Sequence, residues 1–260
     1  MTAILENESR RRLRGSIALI GVFAVLAVMY FSIFPEFSES AVDIEAVISD
    51  SAFEAFGTES YNTIEGFIAA EMYSFFWVLL IAIYFAYVSA GTIAGDIESR
   101  KMDLTLSNPV SRESVVAQKV AALWVPLVAL NVAVPAIVYV GSVGIDEPIN
   151  PVALAMVHLL SVPYLLVCAG IGLVASVLFD RARTAQGVAL VAVFVLWLVD
   201  TISTLDPDAE WLGQFTPSRY YDETDILVNE VYAFFDAAIL LVAFVLLVLV
   251  ATGLFVERDI

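Results

Sequence analysis

The sequence predicts an all-α integral membrane protein with six transmembrane helices, and three features of the chain support this fold class. Hydrophobic residues make up 60% of its 260 positions, whereas a soluble domain is usually about 45–50% apolar. Six apolar runs are each long enough, as helices, to cross a hydrocarbon core of about 30 Å. Lysine and arginine also gather in segments that alternating spans place on one side of a membrane, which is the usual asymmetry of membrane proteins.

The spans are expected at apolar runs separated by polar or proline-containing segments. These runs cover residues 17–34, 72–94, 120–144, 152–179, 185–205 and 237–256. Ser9-Arg10-Arg11 before the first run resembles a twin-arginine export signal, but the run is longer than a signal core of about 7–15 residues and further spans follow it. We therefore expect a retained first span with arginines at its inner end. Pro126 and Pro135 predict a kink in the third span.

Two acidic segments, residues 35–71 and 206–235, are expected outside the hydrocarbon. They lie on the side of the membrane opposite to most of the lysines and arginines. The first is rich in aspartate and glutamate and has no lysine or arginine. Aromatic residues are interspersed with the acids, which is not typical of a disordered tail. For the first segment we therefore expect short helices at the outer surface.

The basic residues set the predicted orientation. If the amino-terminal side is the inside, Arg219 lies outside and the other eleven of twelve lysines and arginines lie inside. A positive inside face is typical of membrane proteins, so we expect both termini in the cytoplasm and the chain in the cell membrane. A five- or seven-span arrangement would remove this asymmetry. The inside residues are Arg10, Arg11, Arg12, Arg14, Arg100, Lys101, Arg112, Lys119, Arg181, Arg183 and Arg258.

Charge and cysteine count exclude several kinds of partner and site. The chain has 29 acidic and 12 basic residues, a net charge of −17. Nucleic acid is not expected as a partner, because phosphates require a basic surface. One cysteine and one histidine cannot supply a common zinc site, so we expect no metal and no other cofactor. The carboxylate surplus favours a protein adapted to high salt; the alternative is an acidic outer loop without that meaning.

The chain is expected to be non-catalytic and to depend on a separate motor. It lacks a phosphate-binding loop of the G-x-x-x-x-G-K-[ST] type. Ion-coupled transporters usually carry ionisable groups within their spans, but here only His158 and Asp200 fall inside them. His158 is expected to be a packed polar residue, because ten positions along a helix turn it and Cys168 to different faces, which disfavours a metal site with Met156. Asp200 is expected near a membrane surface.

Residues 95–119 carry the strongest functional signal. This predicted loop joins the second and third spans on the basic side; small and acidic residues lead into apolar positions, a proline and a final lysine. Apolar residues serve no purpose in a purely solvated loop, so they favour a surface that a partner protein binds. The candidate coupling residues are Gly95, Asp96, Glu98, Arg100, Lys101, Met102, Leu104, Leu106, Pro109, Ser111, Arg112 and Lys119.

The order of these residues resembles the loop between spans two and three in permeases of ATP-binding-cassette exporters of the type-2 membrane family. The match rests on Asp96 and Glu98, on Pro109-Val110-Ser111-Arg112 and on Lys119; Met102-Asp103 stands where the family often has Gly-Thr. The resemblance implies a permease subunit coupled through this loop to a separately encoded ATPase. It also implies a second permease copy, identical or not, a pathway between the two copies, and contact with membrane lipids.

Several alternatives stay open at this stage. The loop is either a docking surface or a solvated span end with weak local ion pairs. The chain is either a permease, a membrane anchor or sensor, or a lipid-modifying membrane enzyme. Gly91 and Gly95 form a G-x-x-x-G pattern, which suits a close helix contact either between subunits or within one. Residues 211–221 resemble the family's pathway-capping segment, with an aromatic interface anchor as the alternative.

Overall fold

The computed structural model describes residues 3–45 and 62–258, and every regular element in these ranges is helical. Two 3₁₀ turns, Pro207–Ala209 and Ser218–Tyr220, lie on either side of the eighth helix. In chain order the α-helices are α1 Ala3–Glu45, α2 Ile64–Glu98, α3 Lys101–Leu106, α4 Arg112–Ala121, α5 Trp124–Gly144, α6 Pro151–Leu178, α7 Ala182–Leu205, α8 Glu210–Gly213, α9 Glu223–Leu227 and α10 Phe234–Glu257.

Six helical stretches are long and apolar enough to cross a membrane. They are Arg12–Glu36 within α1, α2, the nearly continuous pair α4–α5, α6, α7 and α10. The predicted all-α class with six membrane-spanning helices is therefore confirmed.

The first two spans are longer helices than their apolar runs. α1 passes through Pro35 and ends at Glu45, and α2 already begins at Ile64. Proline removes one backbone hydrogen bond from a helix, but packing holds the helix just before this one: the ring of Phe34 lies 5.4 Å from that of Phe67 at the start of α2. Much of the segment expected as short outer helices thus extends two spans, while residues 46–61 lie outside the described residues.

The centre of the bundle is the contact between α2 and α6. Gly172 lets the two backbones touch, since a Cβ there would lie 2.1 Å from the carbonyl oxygen of Ala86. Further along, the hydroxyl of Ser176 accepts hydrogen bonds from the backbone amides of Ile93 and Ala94, at 2.9 and 3.0 Å. Small residues at helix crossings in membranes allow this kind of approach. These two helices form the buried axis around which the others pack.

Within α2, residues Ala69–Ile81 are wound as a π-helix. Such windings are rare and concentrate at functional sites. Hydroxyl groups from other helices donate to its carbonyls: Tyr30 reaches Glu71 at 3.2 Å, and Tyr164 reaches Val78 at 2.6 Å. The unusual backbone is therefore stabilised from two sides by tyrosines.

The two ends of the bundle differ in charge. We call the basic end the one that holds the start of α1, the end of α2, α3, α4, the ends of α6 and α10, and the start of α7. The opposite end, with α8, α9 and both 3₁₀ turns, is the acidic end. Eleven of the twelve basic residues belong to the basic end by chain position. The candidate coupling residues all lie at the basic end.

Candidate functional site: the coupling segment at the basic end

The coupling segment, residues 95–119, is mostly helical. α2 ends at Glu98, and Arg100 then adopts a left-handed conformation with φ 55°, which turns the chain into the short helix α3. Pro109 follows α3 in the bend before α4. Ser111 begins α4 as its N-cap, accepting a hydrogen bond from the amide of Ser114 at 3.2 Å, as serine commonly does. The sequence therefore builds two helices joined by a proline bend.

The apolar residues of α3 point in different directions. Met102 is fully buried in a small core at the basic end, and Leu106 packs partly against it. Leu104 is 71% exposed. Of the apolar candidates Met102, Leu104 and Leu106, the structure therefore leaves only Leu104 largely accessible. It is flanked by the exposed residues Lys101 and Asp103.

Lys119 ties the coupling segment to two spans. Its ammonium lies 2.5 Å from a carboxylate oxygen of Asp96 on α2 and 2.8 Å from one of Glu8 on α1. The lysine side chain is only 3% exposed, and Arg12 lies 3.6 Å from Glu8 in the same group. A buried ammonium requires such partners, because an unpaired charge is costly away from water. This ionic cluster fixes the start of α1 against α2 and α4.

Arg112 binds the end of the last span. Its Nη1 donates to the carbonyls of Phe255 at 2.9 Å and Val256 at 3.2 Å, and also to that of Arg258. The guanidinium carbon lies 5.7 Å from the centre of the Phe255 ring. Arginine is suited to the free carbonyls at a helix C-terminus, where the backbone dipoles favour a positive charge. The residue expected to face a partner is thus used inside the chain.

Glu98 and the two glycines of the G-x-x-x-G pattern face α7. A carboxylate oxygen of Glu98 accepts from the amide of Ala182 at 2.9 Å, in the first turn of α7. A Cβ on Gly91 would lie 2.6 Å from the side chain of Gln186, and one on Gly95 would lie 3.8 Å from Ala182. The glycines therefore serve a contact inside one subunit.

Comparison with family models identifies the class of protein to which this arrangement belongs. The model described as ABC-2 family transporter protein matches residues 2–260. The chain belongs to the ABC-2 transporter family. A comparison with curated proteins gave no match. Membership makes the chain a multi-pass membrane permease of the ABC transporter class, and it implies an ABC ATPase as partner.

The interior of this ABC-2 permease holds one polar cluster deep among the spans. The hydroxyl of Tyr73 lies 2.8 Å from Nε2 of His158, and the Trp77 ring packs edge-on against the histidine at 4.5 Å. Cys168 is buried and forms no disulfide. Within the described residues no group of three or more His, Cys, Asp or Glu side chains could hold a metal ion. His158 is thus a packed residue bonded to tyrosine.

At the acidic end of the permease, carboxylates pair with hydroxyl groups. Asp200, near the end of α7, accepts a hydrogen bond from the buried Thr216 at 2.9 Å. On α9, Glu223 accepts one from Ser74, which lies in the π-helical part of α2. Burial, together with the nearby carboxylates of Asp222 and Asp200, raises the pKa of Glu223 to about 7. This end therefore contains a carboxyl group that titrates near neutral pH.

Residues 211–221 of the permease lie between these two carboxylates along the chain. They contain most of α8 and a 3₁₀ turn. They end in Tyr221, whose hydroxyl donates to the carbonyl of Val157 on α6 at 2.9 Å while its ring stacks on Tyr164. Trp211 and Phe215 project outward and are exposed. The segment is therefore anchored to the spans on one side and presents aromatic rings on the other.

Glu8, Ser74 and Glu223 were not singled out from the sequence. Each is joined to a residue far along the chain, so local spacing gives no signal of the contact. A general signal existed only for Lys119, because a lysine at the start of a span needs a nearby carboxylate when its ammonium is buried.

Proposed function

We propose that this permease forms the membrane pathway of an ATP-driven exporter, and that a separately encoded ATPase docks on α3. The observation that carries the proposal is the exposed side chain of Leu104. It projects from a short helix whose neighbours Met102 and Leu106 are packed inward. An apolar side chain held outward on a rigid element suits insertion into a groove of another protein.

The remaining coupling residues fall into two groups, one bound to helices of the same chain and one exposed around α3. Asp96, Lys119, Glu98 and Arg112 bind helices of their own chain. Lys101, Pro109 and Ser111 are exposed around α3 and its bend. The former set holds the segment in place, and Lys101 and Ser111 supply the polar rim that surrounds an apolar contact at protein interfaces.

We place the pathway between two permease subunits, which makes the working unit a homo- or heterodimer surrounded by lipids. Grooves along the spans are lined almost wholly by apolar residues, as on α7, where Val188, Val191 and Val195 border a space of about 640 Å³. A polar cargo requires a wetter route than such walls provide. ATP hydrolysis is assigned to the partner, so the permease itself is non-catalytic.

Leu104→Asp tests the docking proposal. The change lies outside the hydrocarbon, so insertion and thermal stability should stay close to wild type, while co-purification with the ATPase should be lost because a carboxylate would be buried in the partner's groove. Val231→Asp at the acidic end is the matched control, since Val231 is also exposed, at 52%. Wild-type recovery of the ATPase with Leu104→Asp would refute docking on α3.

Both termini are proposed to lie in the cytoplasm, with the protein in the cell membrane. Cys168 is the single cysteine and is buried, so introduced cysteines can be labelled without removing it. In intact cells a membrane-impermeant thiol reagent should label Asp208→Cys and spare Lys101→Cys. The reverse pattern would contradict this orientation.

A further inference from the structure

We infer that Arg112 is the positioning residue that transmits movement of the coupling segment to α10 and, through Arg258, to α6. The inference rests on the proposed docking of an ATPase at α3. It concerns the route inside the permease after docking, which family membership does not specify.

The first support is a separate small core at the basic end. It is distinct from the main core of the bundle and includes side chains from α2, α3, α4, α6 and α10. Its buried members are Ile93, Met102, Val115, Val116, Leu173, Val177, Ala251 and Phe255. Because protein cores are close-packed and deform little, a displacement of α3 at Met102 moves this core as a unit.

The second support is the bonding of the Arg112 guanidinium. One side chain binds two carbonyls in the last turn of α10 and the carbonyl of Arg258 just after it, and it lies against the Phe255 ring. Hydrogen bonds from a charged donor are stronger than neutral ones, and several of them fix both distance and direction. Arg112 is also the first residue of α4, so the start of α4, within the coupling segment, is joined directly to α10.

The third support is the continuation of this connection. Arg258, just after α10, donates to the carbonyl of Val177 at the end of α6 and to the carboxylate of Asp180. The path from Arg112 to α10 and then to Asp180 therefore ends at the turn before α7. Two exposed arginines of the same end, Arg181 and Arg183, stand beside this route.

The connection explains why an arginine stands here. All three hydrogen bonds come from Nη1, while the guanidinium lies over the Phe255 ring. A lysine carries the same charge but presents one compact ammonium without a planar face to lie on that ring. Arg112→Lys should therefore retain the attraction to the helix end and lose its fixed geometry. Arg112→Met should lose both.

Hydrogen–deuterium exchange of the permease–ATPase complex, with and without a non-hydrolysable ATP analogue, tests the inference. In the wild type, nucleotide should alter exchange in both the coupling segment and the last two turns of α10. In Arg112→Met the ATPase should still co-purify and the coupling segment should still respond, but α10 should not. In the free Arg112→Met permease, without the ATPase, the α10 amides near Phe255 should exchange about 10- to 100-fold faster than in the free wild-type permease.

The controls separate this inference from the docking proposal. Arg183→Met removes an exposed arginine at the same end and should leave all readouts unchanged. Arg112→Lys should give an intermediate loss of the α10 response, and it serves as the test if Arg112→Met does not fold. Loss of ATPase binding in an Arg112 variant, or an unchanged nucleotide response in α10, would overturn the inference. Docking on α3 is judged independently by Leu104→Asp.

Discussion

The basic and acidic ends of the permease both contain many carboxylates but stabilise them differently. At the basic end, Asp96 and Glu8 meet the ammonium of Lys119, and Asp180 meets Arg258. At the acidic end, Asp200 and Glu223 meet the hydroxyls of Thr216 and Ser74. In an ion pair, a carboxylate is held by a positively charged side chain. The strength of a hydrogen bond between a hydroxyl and a carboxyl group instead depends on whether the carboxyl group is protonated. The comparison indicates a firmly connected basic end and an acidic end that responds to solution conditions.

The largest effect is expected from removing the ammonium at the basic end. Lys119→Met would leave two acids, Asp96 and Glu8, without their shared buried partner, and breaking a buried ion pair costs about 3–5 kcal/mol. Arg219→Met is the counterpart at the acidic end, where the pair with Glu210 is exposed, and it should cost no more than about 1 kcal/mol. Denaturant unfolding in detergent measures both. Similar losses would remove the distinction between the ends.

A smaller effect is expected from Thr216→Val at the acidic end. The isosteric change removes the hydroxyl that donates to Asp200, and hydrogen bonds to charged groups contribute about 1.5–3 kcal/mol. Thr105→Val at the basic end is the control, because that exposed hydroxyl only bonds the carbonyl of Lys101 within its own helix. Thermal unfolding should shift for the first variant and stay within error for the second. A larger shift for Thr105→Val would contradict the assignment.

The acidic end should also respond to pH through Glu223. Its folded-state pKa of about 7 lies above the ordinary value of 4.5, so the folded protein holds this proton more tightly than the unfolded chain does. Stability should therefore fall as pH rises from about 4.5 to 7, by at most about 1.4 kcal/mol per pH unit for one proton. Unfolding should be measured between pH 5 and 8.

Glu223→Gln supplies the control for this titration. The amide keeps an acceptor for Ser74 but cannot ionise, so its stability should be flat with respect to this group, and at pH 8 it should exceed that of the wild type. An unchanged slope in the glutamine variant would assign the titration to another residue.

The smallest difference is expected from salt, and it tests the proposed adaptation to high salt. The Debye length shrinks from about 30 Å at 0.01 M to about 3 Å at 1 M. Repulsion among the exposed acids of the acidic end should therefore weaken, while the buried Lys119 pairs should change little. Hydrogen exchange of α8 and α9 should slow in molar salt more than that of α4. Equal responses at both ends would count against the proposed adaptation.

The sequence was sufficient for the fold class and for the position of residues 95–119 between the second and third spans. Long apolar runs determine spans in a bilayer because backbone groups must be satisfied within each helix. Spacing could not show that Met102 faces inward while Leu104 faces outward, since α3 is too short for a clear period. Nor could it show that Arg112 binds the end of α10, because the partners are more than 140 positions apart, as with the 143 between Arg112 and Phe255.

The same limit applies to the second span. Its apolar run predicts a helix but gives no sign of the π-helical winding at Ala69–Ile81. That backbone depends on tyrosines from α1 and α6, Tyr30 and Tyr164. Only the assembled bundle brings these tyrosines to α2, so the local sequence of the second span could not predict the π-helix.

The contact between α2 and α6 has a consequence for how the protein is made. Val78 and its partner Tyr164 are 86 positions apart, which corresponds to roughly 4–17 s of translation at 5–20 residues per second. During that interval α2 is already in the membrane, and the surface around Ala86 that later contacts Gly172 is uncovered. The helices α4–α5 must be inserted before α6 arrives. Ribosome-associated insertion machinery that shields α2 until the fourth span emerges would therefore raise the yield of the folded permease.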